Sequence, residues 1–213
     1  YELELGIFVG TGNAQGDRIA LADAESHVFG LCILNDWSAR DIQAWEYQPL
    51  GPFQSKALGT TIGAWVVTQA ALEPFRCEGA ERANPLLPYL REDRPGFYDL
   101  EIGWTMNGQV MGRTNYNVMY YSSAQQLAHH TESGCPMRVG DLLGSGTISG
   151  PSPDQTGALL EMTQGGKVPV TVNGQPRTFI EDGDEIGLFA HAQGAGYRIG
   201  FGPCAGRILP AVE

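Results

Sequence analysis

The start of the chain alternates between apolar and polar or small residues. Leucine, isoleucine or valine occupies every odd position from residue 3 to residue 9, and the residues that alternate with them include Glu2 and Glu4. A period of two predicts a β-strand with one buried face. A second apolar run, residues 28–34, has the length of a strand and ends abruptly at Asn35 and Asp36. The pattern therefore predicts two strands, with acidic residues at the start of the first and the end of the second.

More strands and two helices are predicted downstream. Apolar or alternating segments predict strands over residues 61–67 and 98–104. The Asn-Gly pairs at residues 107–108 and 173–174 predict two-residue hairpin turns. Residues 38–47 predict a short helix capped by Asp36 or Ser38, and residues 122–131 predict a longer helix.

Length and composition indicate a single domain. The 213 residues are 42% hydrophobic, which is enough to enclose one sizeable core, and no internal repeat or linker divides residues 1–213. The 29 glycines and 13 prolines indicate many tight turns. We therefore expect one β-rich α+β domain with a few short helices.

Charge and cysteine spacing narrow the range of partners and compartments. The net charge of −11 works against binding to phosphate backbones and anionic membranes, so we expect no nucleic-acid partner and no membrane partner. No stretch approaches the roughly 18 apolar residues of a membrane span, and the first residues lack the features of a signal peptide. The four cysteines form no C-x-x-C pair and no zinc pattern. We expect free thiols in a soluble, cytoplasmic protein.

Three carboxylates are candidates for a metal site. Glu2 and Glu4 share one face of the first predicted strand, about 6.5 to 7 Å apart. Asp36 follows an apolar run that has no obvious reason to end in an acid. Oxygen ligands without Cys or His select Mg²⁺ or Ca²⁺ over zinc. Two alternatives stay open, a solvated strand edge for the glutamates and a helix N-cap for Asp36.

A polar face follows the second predicted strand. In the first predicted helix, Arg40, Gln43 and Tyr47 fall at positions i, i+3 and i+7 and line one side. That side would suit an oxygen-rich substrate. The alternative is an amphipathic surface helix with Trp37 and Trp45 inside.

Three single residues are further candidates, each with a plain alternative. Lys56 lies in a Gly/Pro-rich loop, where it is either a solvated lysine or an electrostatic catalyst. Glu161 interrupts an apolar segment, so it is either paired or exposed on an alternate face. The Thr147 hydroxyl lies in the glycine-rich segment 144–150, which either binds an anion or forms an ordinary turn.

Motifs along nearly the whole chain resemble one known family. Residues 35–43 read Asn-Asp-Trp-Ser-Ala-Arg-Asp-Ile-Gln, and Trp-Glu-Tyr and Pro-Leu-Gly-Pro-Phe follow at residues 45–47 and 49–53. Farther along are the Gly-Thr-Ile-Ser-Gly loop, which ends at Gly150, and the segments 182–185 and 196–202. These motifs closely resemble the carboxy-terminal catalytic half of the fumarylacetoacetase family. The resemblance implies a mixed β-sandwich roll with a few short helices.

The resemblance also implies metal ligands. The family's carboxylate ligands correspond to Glu2, Glu4 and Asp36. Positions associated with a second ion correspond to Lys56 and Thr60. The implied cofactors are Mg²⁺, Ca²⁺ or both.

Catalytic and substrate-binding roles are implied in the same way. Substrate contacts correspond to Gln43, Tyr47 and Thr147, and a role at the site corresponds to Arg40. Support of the catalytic histidine and of the oxyanion corresponds to Lys56 and Glu161, with Gln43 as a second oxyanion donor. The catalytic residues implied are therefore Lys56, Glu161, Gln43 and Arg40.

The implied activity is metal-dependent hydrolysis of a carbon–carbon bond in a 1,3-dicarbonyl diketo acid. 4-Fumarylacetoacetate and water would give fumarate and acetoacetate, which is the last step of tyrosine and phenylalanine degradation. In the family, an amino-terminal half supplies a further aspartate and the water-activating histidine. The four histidines of this chain lie outside that histidine's motif. We therefore expect that this chain lacks part of the active site.

Two other functions compete with this prediction. One is a related acylpyruvate hydrolase or oxaloacetate decarboxylase, and the other is a non-catalytic fragment that folds and binds metal. The resemblance further implies a homodimer.

Overall fold

The computed structural model describes residues 1–212, which contain fourteen strands and five α-helices. The strands are β1 (Leu3–Val9), β2 (Val28–Asp36), β3 (Thr60–Ile62), β4 (Val67–Thr68), β5 (Arg76–Cys77), β6 (Phe97–Tyr98), β7 (Glu101–Met106), β8 (Gln109–Asn115), β9 (Leu142–Gly144), β10 (Val170–Val172), β11 (Gln175–Arg177), β12 (Glu185–Gln193), β13 (Arg198–Gly200) and β14 (Cys204–Arg207). The helices are α1 (Leu21–His27), α2 (Arg40–Glu46), α3 (Gln69–Leu72), α4 (Ser123–Thr131) and α5 (Leu159–Met162). Short 3₁₀ turns occur at Gln54–Lys56, Glu73–Phe75, Pro88–Leu90, Tyr116–Val118 and Pro153–Gln155. The β-rich fold with a few short helices is confirmed, and none of these helices is long and apolar enough to cross a membrane.

Two larger sheets form the body of the fold. The first has the strand order β3-β2-β1-β9, with β4 also paired to β2. The second has the order β13-β12-β7-β8, with β14 also paired to β12. The strand pairs within residues 1–212 are all antiparallel. The strands that carry the candidate carboxylates, β1 and β2, therefore lie inside the first sheet, not at its edges.

One buried cluster joins both sheets. It includes Leu5 and Ile33 from the first sheet and Trp104 and Leu188 from the second, each at most 2% exposed. Full burial of an aliphatic side chain stabilises a fold by roughly 1.5 to 3 kcal/mol. This shared core fixes the position of β1 and β2.

Strand β1 is buried on both faces, so the prediction of a single buried face is wrong. Glu4 is only 4% exposed, and Gly6 on the same face is also buried. On this face, the side chains of Cys32 and Leu142 cover Gly6, and the loop that contains Gly146 contacts Glu4. A Cβ atom on Gly6 would lie 2.8 Å from both Cys32 Sγ and Leu142 Cδ1, so a larger residue does not fit there.

Two predicted strands are interrupted. The segment predicted over residues 61–67 forms β3 and β4, which both pair with β2. Ile62 lies opposite Leu34 and Val67 opposite Leu31, so four residues on one side lie opposite two on β2, and the two extra residues form a bulge. The segment predicted over residues 98–104 is divided into β6 and β7, because β6 pairs with β5 whereas β7 pairs with β8 and β12.

The first predicted helix is shorter than residues 38–47, and its predicted caps are wrong. Helix α2 begins after Ala39, which makes no side-chain capping bond. The Asp36 carboxylate and the Ser38 hydroxyl bind the Lys56 ammonium instead. The side chains that would cap an isolated helix are therefore used by the candidate site.

The longer helix and both hairpin turns are confirmed. Ser122 caps α4 in a reciprocal capping box. Asn107-Gly108 joins β7 to β8, and Asn173-Gly174 joins β10 to β11. The four turn residues have positive φ angles, as the two-residue hairpin turn requires.

Candidate metal centre

Three carboxylates converge where β1 and β2 lie side by side. Glu2 precedes β1, Glu4 lies within it, and Asp36 ends β2. One oxygen atom from each carboxylate lies within 4.8 Å of the others. Leu3 pairs with Asn35 in the antiparallel register, so Glu2 and Glu4, on either side of Leu3, lie near Asp36, which follows Asn35. The structure thus brings the three predicted ligands together.

Glu4 is the most deeply buried of the three carboxylates. Its side-chain Oε2 accepts a hydrogen bond from Gly146 N at 3.1 Å, and a Cβ atom on Gly144 would lie 2.6 Å from the same oxygen. Burial, followed by the negative charge of Glu2, raises the pKa of Glu4 to about 8. The alternative of a solvated strand edge is therefore wrong for Glu4.

Two basic side chains compensate the outer carboxylates. Lys56 Nζ lies 2.8 Å from Glu2 Oε1 and 2.7 Å from Asp36 Oδ2. Arg40 Nη1 lies 3.0 Å from the same Glu2 oxygen. Burial alone would raise the pKa of Glu2, but the hydrogen bond and charge of Lys56, then the charge of Arg40, lower it overall. Within residues 1–212, Glu4 alone of the three carboxylates has no ion-pair partner.

Hydrogen bonds of a turn and of Ser38 hold Lys56 beside the carboxylates. The Glu46 carboxylate accepts hydrogen bonds from three consecutive backbone N–H groups, those of residues 53–55, at 2.8 to 3.2 Å. These bonds, chiefly those from Ser55, lower the pKa of Glu46 to about 2, so it stays ionised. Ser38 Oγ accepts a further hydrogen bond from Lys56 Nζ at 2.8 Å. Glu46 and Ser38 were not predicted as residues of the site, although both lie in the motifs that carry the family resemblance.

Helix α2 presents Arg40 and Gln43 together. Arg40 Nη1 donates a hydrogen bond to Gln43 Oε1 at 2.9 Å. A guanidinium group has only donors, so Gln43 must turn its carbonyl oxygen toward Arg40, which directs its NH₂ group away. Tyr47 follows the end of the helix and is 49% exposed. Trp45 is 87% exposed, so the alternative that places it inside is wrong.

A cavity of about 590 Å³ lies between α2 and α5. Its walls include Arg40 and Ala44 from α2 and Leu159 and Leu160 from α5. The remaining lining is mostly apolar, and Arg40 and Asp41 contribute one positive and one negative charge, so the cavity suits a ligand with an apolar body and a few polar groups.

Glu161 and Thr147 are partly or fully accessible. Glu161 is exposed on α5, in agreement with the exposed-face alternative, and its Oε2 accepts a hydrogen bond from Ser149 Oγ at 2.6 Å. Thr147 is half-buried, two residues before Ser149, and its hydroxyl makes no hydrogen bond within the described residues. The same loop therefore carries a free hydroxyl and a hydroxyl bound to Glu161.

The predicted second-ion residues are only partly brought together. Thr60 is exposed on β3 and lies opposite Asp36 in the strand pairing. The Lys56 ammonium carries no lone pair, so only backbone atoms of Lys56 could ligate an ion. The second ion at Lys56 and Thr60 stays a prediction.

The histidines lie elsewhere in the molecule. They contact Thr11 (His27), Tyr89 (His129), Cys135 (His130) and Glu101 (His191). Among the described residues, the carboxylate cluster therefore contains no imidazole.

The donor set fits a hard divalent cation. Glu2, Glu4 and Asp36 offer oxygen atoms only, and burial and the charge of Glu2 disfavour the ionised form of Glu4, which raises its pKa. A buried carboxylate without a partner is costly, and Mg²⁺ and Ca²⁺ are the ions that prefer oxygen ligands. These three residues can hold one such ion, with Lys56 and Arg40 beside it.

Comparison with known proteins shows that the chain is similar to fumarylacetoacetases. The family model described as fumarylacetoacetate (FAA) hydrolase C-terminal matches residues 1–208. Fumarylacetoacetase of Arabidopsis thaliana is 50% identical over 217 residues, which cover 99% of this chain and 52% of that protein. Fumarylacetoacetase of Homo sapiens is 47% identical over 218 residues, with 99% and 52% covered. The chain spans about half the length of the curated relatives it matches.

Solved structures share the fold. Fumarylacetoacetate hydrolase from psychrophilic Exiguobacterium antarcticum has a TM-score of 0.61 at 20% identity, over 99% of this chain and 56% of that chain. A putative HpcE protein from Mycobacterium smegmatis has a TM-score of 0.62 at 22% identity, over 98% of this chain and 58% of that chain. At such low identity, these similarities establish the fold alone.

Proposed function

The chain belongs to the fumarylacetoacetate hydrolase family, and from that premise we propose that it carries the metal-binding part of a fumarylacetoacetase active site. The proposed reaction is hydrolysis of 4-fumarylacetoacetate to fumarate and acetoacetate, in tyrosine and phenylalanine degradation. The observation that carries it is the convergence of Glu2, Glu4 and Asp36 within 4.8 Å, beside Lys56. All four residues lie in the segment that the family model matches.

The proposed cofactor is Mg²⁺ or Ca²⁺, held by Glu2, Glu4 and Asp36. When bound, such an ion would supply Lewis-acid polarisation of the substrate's carbonyl oxygens. Arg40 would keep Glu2 ionised and oriented, since its guanidinium lies 3.0 Å from Glu2 Oε1.

Donors around the cluster would stabilise the charge that develops during water attack. Lys56 provides an ammonium group, and Gln43 provides an NH₂ group that Arg40 turns away from itself. Donors aimed at a developing oxyanion typically contribute a factor of about 10² to 10³ to kcat. The family resemblance assigns substrate contacts to Thr147, two residues before Ser149, and to Tyr47, which follows α2.

Water activation requires a base that the described residues do not place at the cluster. The family resemblance assigns this base to a histidine of the amino-terminal half, and Glu161 would orient it by accepting its ring N–H. The histidine would take a proton from water as the oxygen attacks the carbonyl carbon. The carbon–carbon bond would then break, and the acetoacetate enolate that leaves would receive the proton that the histidine had taken.

An assay on the native protein that contains this chain tests the proposal. Loss of fumarylacetoacetate absorbance is expected with Mg²⁺ or Ca²⁺ and is expected to stop with a chelator. Asp36→Ala should lower kcat/KM by about 100-fold or more, since it removes a ligand and a partner of Lys56. Asp23→Asn changes an exposed carboxylate on α1 and is the matched control that should retain activity.

Other outcomes of that assay would assign a different activity. Turnover of an acylpyruvate or of oxaloacetate, without turnover of fumarylacetoacetate, would favour the related hydrolase or decarboxylase. Equal activity with and without a chelator would contradict the metal-dependent mechanism.

We also propose that the native protein is a cytoplasmic homodimer. The support for a dimer is a group of large apolar side chains between residues 45 and 58 that are 58% to 87% exposed: Trp45, Leu50, Phe53 and Leu58. Exposed apolar side chains in such density are typical of interaction surfaces. The support for the compartment is that all four cysteines are free thiols. Light scattering that gives the mass of one chain would contradict the dimer.

A further inference from the structure

The Glu161 carboxylate depends on a single hydrogen bond. Within residues 1–212, its only hydrogen-bond partner is Ser149, whose Oγ lies 2.6 Å from Glu161 Oε2. Glu161 is exposed on α5, a helix of four residues. An exposed glutamate otherwise samples several rotamers. The position of the Glu161 carboxylate therefore depends on Ser149.

The hydroxyl of Ser149 is itself held in one orientation. Gly157 N donates a hydrogen bond to Ser149 Oγ at 3.0 Å. A serine hydroxyl carries one proton, so with this lone pair occupied its O–H is directed to the Glu161 carboxylate.

Gly157 is fixed in turn by the first sheet. Its carbonyl oxygen accepts a hydrogen bond from Leu3 N at 2.9 Å. A Cβ atom on Gly157 would lie 2.3 Å from Ile148 O, so the two backbone segments pack closely. Leu3 lies on β1 beside the two glutamates of the cluster. A short series of contacts thus links the carboxylate cluster to Glu161 through Ser149.

We propose that Ser149 is a positioning residue of the active site, which holds the Glu161 carboxylate through a charge-assisted hydrogen bond. The proposal rests on the proposed function, in which Glu161 orients the water-activating histidine. Ser149 itself acts through Glu161 and not on the substrate. Hydrogen bonds to an ionised carboxylate are roughly twice as strong as neutral ones, and a 2.6 Å separation is in their range.

Kinetics of the native protein that contains this chain test the role of Ser149. Ser149→Ala should lower kcat by about 10-fold to 100-fold, as loss of an outer-shell partner typically does, with little change in KM. Ser149→Thr keeps the hydroxyl and should restore most of kcat. Ser133→Ala removes an exposed hydroxyl that makes no hydrogen bond within the described residues, and this control variant should leave kcat unchanged.

A double-mutant cycle separates positioning from a purely structural role. In the Glu161→Gln background, Ser149→Ala should cost little further activity, because its partner carboxylate is already gone. If Ser149→Ala costs the same factor in both backgrounds, Ser149 does not act through Glu161 and the proposal is overturned.

A crystal structure of Ser149→Ala provides a readout that does not depend on activity. The Glu161 carboxylate should lose its single position in this variant and keep it in Ser149→Thr. If Glu161 keeps its position without the hydroxyl, the positioning role is wrong. If Glu161 loses its position but the unmodified protein does not hydrolyse fumarylacetoacetate, the positioning role stands and the proposed function fails.

Discussion

Replacement of Glu4 by glutamine is expected to remove most of the pH dependence of stability that the carboxylate cluster creates. Glu4 is 4% exposed, and its pKa is raised from 4.5 to about 8, first by burial and then by the charge of Glu2. An acid whose pKa is raised by folding keeps its proton up to a higher pH in the folded state than in the unfolded state. The folded state is therefore destabilised as the pH rises from 4.5 to 8.

The size of the effect follows from the shift. The pKa of Glu4 rises from 4.5 to about 8, and each pKa unit corresponds to about 1.36 kcal/mol, so ionisation of Glu4 destabilises the folded state by up to about 5 kcal/mol. Water penetration and relaxation reduce such costs, so we expect on the order of 2 to 5 kcal/mol. The pKa of Glu2 is lowered, so its contribution is lost only as the pH falls below its ordinary value and does not cancel the effect of Glu4.

Urea unfolding in the presence of a chelator measures this difference. The free energy of unfolding is compared between the unmodified protein and Glu4→Gln at pH values from about 5 to about 8, where Glu4 titrates. His191, whose pKa burial lowers, titrates in both proteins and cancels in the difference. The unmodified protein should lose stability relative to Glu4→Gln as the pH rises, whereas Asp23→Asn should follow the unmodified protein. Parallel pH profiles for the unmodified protein and Glu4→Gln would refute the burial argument.

Two further predictions concern packing and thiol reactivity. Gly6→Ala should destabilise the fold by about 1 to 3 kcal/mol because the new methyl group overlaps two side chains. In the control variant Gly200→Ala, the methyl group meets no atom within 4 Å, so the stability should change by less than about 0.5 kcal/mol. Equal melting temperatures for the two variants would contradict this prediction. Cys135 is half-buried, and its Sγ lies 3.6 Å from His130 Nε2, whereas burial raises the pKa of Cys32 to about 11. Iodoacetamide near neutral pH should therefore label Cys135 before Cys32. Equal labelling rates, measured by mass spectrometry, would refute this prediction.

Local pattern was sufficient for the elements that depend on nearby residues. The period of two predicted β1, and the Asn-Gly pairs at 107–108 and 173–174 predicted hairpin turns, because backbone geometry at these positions depends on the residues themselves. The interruption between β3 and β4 was not predictable in this way. It arises because both segments pair with β2 in registers that differ, which is a tertiary property.

For the candidate site too, local features were predicted from the sequence and tertiary features were not. Strand periodicity and family motifs predicted Glu2, Glu4 and Asp36 as neighbours. The burial of Glu4 was not predicted, because the loop that contains Gly146 covers it from a distant part of the sequence. The hydrogen bonds from the backbone of residues 53–55 to the Glu46 carboxylate were not predicted either, because they depend on the geometry of a turn and not on a sequence motif.

The central claim, that Glu2, Glu4 and Asp36 hold a hard divalent cation, is tested most directly by isothermal titration of Mg²⁺ and Ca²⁺ into the native protein in two buffers of different ionisation heat. We predict one ion at this site, release of about one proton near neutral pH because Glu4 has a pKa of about 8, and a loss of affinity of about 100-fold or more in Asp36→Ala. Absence of binding, or equal binding by Asp36→Ala, would contradict the assignment.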